Sequence, residues 1–149
     1  MEEKLKTAEE KRKKAILCYF IMFATILCPI VLGFLGVLPF GPGSEEALYK
    51  FELVAVLTLV CIPMGIVTFN TMMRKANKEN FPGWCNKYFQ LILIRTASCL
   101  FSVFIGSYLY LIYEKETFIY YAVFGLIATI YVYPNKNELI KLLNGEEGK

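Results

Sequence analysis

One charged side chain stands inside a long apolar stretch: Arg95, in the run Tyr88–Tyr113. Burying a charge within a membrane span costs about 3 kcal/mol even on the lenient insertion scales, so such a residue is retained for a reason. Arg95 lies seven residues past Tyr88, about 10 Å along a helix that rises 1.5 Å per residue. From that depth a guanidinium can snorkel back to lipid phosphates. It can also point inward. At about 100° per residue, Arg95, Ser98, Cys99, Ser102, Gly106 and Tyr113 share one stripe, and Leu93, Leu100, Phe101, Phe104 and Leu111 share the other. Small residues let helix backbones approach closely in lipid, so the first stripe is expected to face protein and the second lipid. None of the apolar runs contains an acid. Asn70, at a similar depth on the preceding run, or freed backbone carbonyls are therefore the expected acceptors for Arg95. The chemistry on offer is anion or carbonyl binding, with Arg95, Asn70, Ser98, Cys99 and Ser102 as the candidate binding residues.

A second pattern is Thr-x-x-Cys, found as Thr25/Cys28, Thr58/Cys61 and Thr96/Cys99. Pro29 and Pro63 follow the first two closely, then Gly33 and Gly65. Proline inside a span frees backbone carbonyls, and interrupted helices mark binding sites in some transporters. These residues could line a polar cluster at the midplane; the competing reading is ordinary helix packing.

Other chemistry is sparse. The chain has no histidine, which removes the usual general base and most zinc, copper and haem ligation. The five cysteines show no paired spacing, and four lie in apolar runs, so neither disulfides nor a metal site is expected. Glu52 sits at the outer edge of its run, leaving a proton relay without a mid-membrane acid. No phosphate-binding glycine loop, activated nucleophile or carboxylate pair is present, and no cofactor is expected.

The elements that position these residues are four apolar runs: Ala15–Phe40, Leu53–Met73, Tyr88–Tyr113 and Thr117–Tyr133. A hydrocarbon core about 30 Å thick needs roughly 20 helical residues. Spans are expected over 15–39, 53–73, 89–112 and 117–133, the last near the lower limit. The expectation is a single all-α, four-helix polytopic domain over 1–149, with tails 1–14 and 134–149. The first run follows a basic flank, Lys11-Arg12-Lys13-Lys14, yet it is longer than a signal core and lacks a small-x-small ending, so it reads as a retained anchor.

Charge placement sets the expected orientation. Of the Lys and Arg residues other than Arg95, thirteen lie in the two tails and the middle loop, and two, Lys50 and Lys115, in the other loops. The positive-inside rule then puts both termini in the cytoplasm. Basic tails beside spans point to anionic lipid headgroups rather than to nucleic acid. Favourable i,i+4 pairs (Glu2/Lys6, Glu9/Lys13, Glu10/Lys14) predict that the first helix begins before the membrane. Leu38-Pro39-Phe40-Gly41-Pro42-Gly43-Ser44 is expected to end it. Phe81-Pro82-Gly83-Trp84 reads as a turn at headgroup level. The tyrosines, with Tyr88 on one side and Tyr108, Tyr110, Tyr113, Tyr120 and Tyr121 on the other, read as aromatic belts. Pro134 stops the fourth helix, and 135–144 predicts a short surface helix with Leu139, Ile140, Leu142 and Leu143 on its apolar side.

Three functions are compatible with this reading. One is a non-catalytic bundle acting by association with another membrane protein or a second copy, as accessory subunit, assembly factor or scaffold. Another is a small oligomeric transporter or channel. The third is an enzyme holding an anionic lipid or thiol substrate on Arg95. A bacterial cytoplasmic membrane is the default location, because an N-terminus rich in acids as well as bases does not look like an organellar transit sequence; a eukaryotic endomembrane is the alternative.

Overall fold

The computed structural model describes residues 2–37, 45–77 and 79–144, excepting the side chains of Glu2, Glu45 and Glu46. Five α-helices follow one another: α1 (Glu2–Phe34), α2 (Glu45–Arg74), α3 (Phe81–Tyr113), α4 (Glu116–Tyr131) and α5 (Lys136–Asn144). No strand occurs among the described residues. α1, α2 and α3 are each long and apolar enough to cross a membrane; α4 and α5, bent by 58° at a short break, make a fourth candidate if taken as one span. Alone, the 16 residues of α4 reach about 24 Å at 1.5 Å per residue, short of a hydrocarbon core.

Helix ends follow local chemistry. α1 runs unbroken from the charged N-terminal segment into the apolar run, as the i,i+4 pairs predict. It stops at Phe34, earlier than the expected residue 39. Gly36 adopts φ +71°, and Val37 N–H donates to Leu32 O while Gly36 N–H donates to Gly33 O. This is the glycine-terminated cap in which a left-handed residue satisfies the last carbonyls. The proline- and glycine-rich segment expected to end the helix, Leu38–Ser44, lies outside the described residues. Phe81-Pro82-Gly83-Trp84 is not a free turn but the first turn of α3. The Asn80 side chain accepts from Gly83 N–H at 3.2 Å, and Pro82 occupies a position where its missing N–H costs nothing.

α3 is the centre of the molecule and packs on α1, α2 and α4. Half of its most apolar window is buried, against 17% in α1 and in α2. Burial on several sides overturns the two-face expectation: Leu100, placed on the lipid side, is 1% exposed, while Phe101 and Phe104 do lie outward. Close approach is bought with small residues. A Cβ on Gly106 would come within 2.6 Å of Ala122 N, one on Gly125 within 2.8 Å of Val103 N, and one on Gly65 within 2.7 Å of Ser98 Oγ. The first two lock α3 to α4, and the third sets α2 against α3.

The buried side chains gather at two ends. One cluster joins Ala8, Ala15, Phe69, Met73, Trp84, Cys85, Tyr88, Ile92 and Leu139; the other joins Leu48, Ala55, Leu109 and Phe118. The first brings the start of α1, the end of α2, the start of α3 and α5 to the same end of the bundle.

Candidate functional site

Arg95 organises that end. It is 4% exposed, and its guanidinium grips Glu138 of α5 with two parallel bonds, Nη1 to Oε1 at 2.6 Å and Nη2 to Oε2 at 3.1 Å. Nη2 also donates to the Val132 carbonyl at 3.0 Å. Val132 caps α4, where the last carbonyls have no helical donor, and Pro134 cannot supply one. The guanidinium carbon stands 4.0 Å from the Phe69 ring centre on α2, a cation–π contact. One side chain thus ties α2, α3, α4 and α5 together.

An aromatic ladder leads to it along α3. Phe81 stacks on Trp84 at 5.9 Å, Trp84 on Tyr88 at 5.8 Å, and Tyr88 meets Phe69 at 6.2 Å. Tyr88 is fully buried, so it belongs to the core rather than to a headgroup belt. Tyr108 and Tyr120 do stand out from the surface. α5 is fastened from a second side by α1: Glu9 reaches Lys136 at 3.0 Å, and Arg12 Nη1 donates to Pro134 O at 3.3 Å. Leu139 is fully buried, with Leu142 and Leu143 packed against the same cluster. The apolar side of α5 is therefore turned onto the bundle, not laid on a membrane surface.

Beside the ion pair lies a cavity of about 670 Å³. Arg74, Arg95 and Lys141 contribute three cations to its wall and Glu138 one carboxylate; Asn70, Asn135 and Asn137 add amides, and Phe69, Tyr131 and Tyr133 aromatic surface.

The expected site residues divide sharply. Arg95 does point inward, and a carbonyl freed at a helix end does accept from it. Asn70 does not pair with it: it is exposed, lines the cavity, and its side chain makes no hydrogen bond among the described residues. Glu138 takes that place. Glu138 was missed because it lies beyond the last apolar run; the signal was a lone acid beside Leu139 and Leu142 just past a helix-ending proline. Ser98 is half-buried and donates to Ile94 O at 2.9 Å. Thr96, Cys99 and Ser102 are buried. Thr58 donates to Ala55 O at 2.7 Å and contacts Ser102 Oγ at 3.4 Å, and Ser102 donates to Tyr121 O at 3.3 Å.

The midplane cluster is not assembled. Thr58, Thr96 and Cys99 are interior, but Thr25, Cys28 and Cys61 are exposed on the flanks of α1 and α2, and Thr25 is satisfied by Ile21 O at 2.7 Å. All five cysteines are free thiols. Among the described residues no three His, Cys, Asp or Glu side chains gather as a metal ion requires.

The fold and this site define an all-helical protein with several helices able to cross a membrane and, at one end, a buried arginine paired with a partly exposed glutamate. Comparison with protein-family models, curated proteins and solved structures gives no match.

Proposed function

We propose that the chain crosses the membrane four times, with both termini and the α2–α3 loop on the cytoplasmic side of a bacterial inner membrane. We propose further that it acts there by association, as an accessory subunit, assembly factor or scaffold. Its partner is another membrane protein or a second copy of itself, and lipid headgroups meet its basic tails. The orientation draws support from the charge distribution, since the segments that carry the basic residues meet at one end of the bundle.

The observation that carries the associative reading is the outward placement of Thr25, Cys28 and Cys61. A single-chain transport path needs such groups inside. On the flanks of α1 and α2 they are instead available to helices of another chain, where small and hydroxyl-bearing residues favour close contact. Extraction in mild detergent followed by mass determination tests this. Association requires a homo-oligomer or a stoichiometric companion; a four-helix monomer that leaves the membrane alone refutes it.

An oligomeric transporter is the second reading, favoured by the cavity at the basic end. It requires membrane-impermeant thiol reagents to reach Cys28 or Cys61 through a water path. An enzyme acting through Arg95 has less support, because among the described residues no cysteine, serine or threonine nucleophile lines the cavity beside it.

A further inference from the structure

We infer that the cavity beside the Arg95–Glu138 pair binds a phosphate-bearing anion, held by Lys141 and by the Arg95 fork in competition with Glu138. The inference deepens the proposed function and rests on it for the placement of this end against a membrane surface.

Charge comes first. Arg95 and Lys141 set two cations in the wall against the one carboxylate of Glu138, and a wall with that imbalance attracts an anion. The acceptor geometry comes next. Arg95 presents two parallel N–H groups to Glu138, and this fork matches two oxygens of a phosphate as well as those of a carboxylate. The pair is also asymmetric: the Arg95 side chain is 5% exposed and that of Glu138 30%. The carboxylate is the half that water, and an arriving anion, can reach. Arg95 has an unspent donor as well, since its buried Nε has no hydrogen-bond partner.

The floor of the cavity adds a further feature. Asn135 and Asn137 bracket the start of α5, with Asn137 N–H donating to the Asn135 side chain at 3.1 Å. The start of a helix favours negative charge, and α5 runs nine residues. Glu138 in that first turn is the chain's own occupant of an anion position. A phosphate that takes Arg95 from it would also loosen α5, which this pair helps to hold.

Two sources supply the same chemistry: the headgroup of an anionic phospholipid and a soluble phosphate. The full chain, purified in detergent and examined by native mass spectrometry, distinguishes them. Phosphatidylglycerol should be retained about fivefold more than phosphatidylcholine, and Lys141→Gln should remove most of that preference, since a basic side chain near a membrane surface contributes roughly that factor. Glu138→Gln should strengthen retention, because it removes the competing charge and keeps an acceptor; a merely structural role for Glu138 predicts no gain. Millimolar inorganic phosphate that displaces the lipid assigns the site to a soluble anion. A preference that survives such phosphate assigns it to the headgroup. Equal retention of both lipids, or a preference that Lys141→Gln leaves untouched, overturns the inference. Lys141 is exposed, so its replacement leaves the core intact and that arm stands even if Glu138→Gln unfolds the protein. Copurification and oligomer mass do not enter this readout, so its failure and that of the associative reading are told apart.

Discussion

The two halves of α3 are held by different physics. Toward its start, from Trp84 to Arg95, the helix is fixed by an aromatic ladder and a bidentate ion pair that reach α2, α4 and α5. Toward its end, from Cys99 to Leu109, it is fixed by absence of side chain: Gly106 and Gly125 let α3 and α4 touch backbone to backbone. Lipid tails are as apolar as leucine, so helices gain little from hiding apolar surface from one another. What remains is shape and polar pairing, and the molecule uses one at each end.

Gly106→Val should break the shape-based half most severely. Its side chain would run into Ala122 N and Phe118 O, both backbone, and the helices must separate. A loss of about 3 kcal/mol is expected in reversible unfolding in detergent. An unchanged midpoint would show that α3 and α4 are not in contact there.

In the other half, Glu138→Leu should cost nearly as much, about 3 kcal/mol, because it strands a buried guanidinium. Arg95→Met should cost less, because the carboxylate it leaves behind is partly wet. The double variant should recover about 2 kcal/mol of the Glu138→Leu loss, and a double-mutant cycle reads the coupling directly. Additive losses would mean the two side chains do not meet.

Gly65→Ala sharpens the comparison with a smaller effect. Its Cβ meets the Ser98 side chain rather than backbone, so the cost should be about 1 kcal/mol. In the Gly65→Ala/Ser98→Gly double variant the losses should be less than additive. Least of all, Thr25→Val, Cys28→Val and Cys61→Ala should each shift stability by no more than about 0.5 kcal/mol. If these flanks carry the association, the same variants weaken copurification without weakening the fold.

Much of this architecture is legible in the amino-acid order. Four apolar runs appear as helices, and the inward aim of Arg95 follows from the company it keeps on its stripe. Gly36, which ends α1, and Asn80, which caps α3, act through rules equally local to the sequence. The misassignments share one cause. Leu100 is interior because α3 has neighbours on several sides, and Tyr88 is core because Phe69 and Trp84 close over it. Neither fact is local.

The order of residues alone determined where the apolar runs lie, which charge sits among them, and how the basic side chains divide between the loops. Those are properties of segments against a solvent, and hydropathy measures them. Tertiary structure decided which acid meets Arg95, that α5 folds back onto the bundle, and that Thr25, Cys28 and Cys61 face outward. Hydropathy is silent there, because a side chain facing lipid and one facing a neighbouring helix see nearly the same apolar surroundings. Only close approach and a satisfied donor distinguish the two.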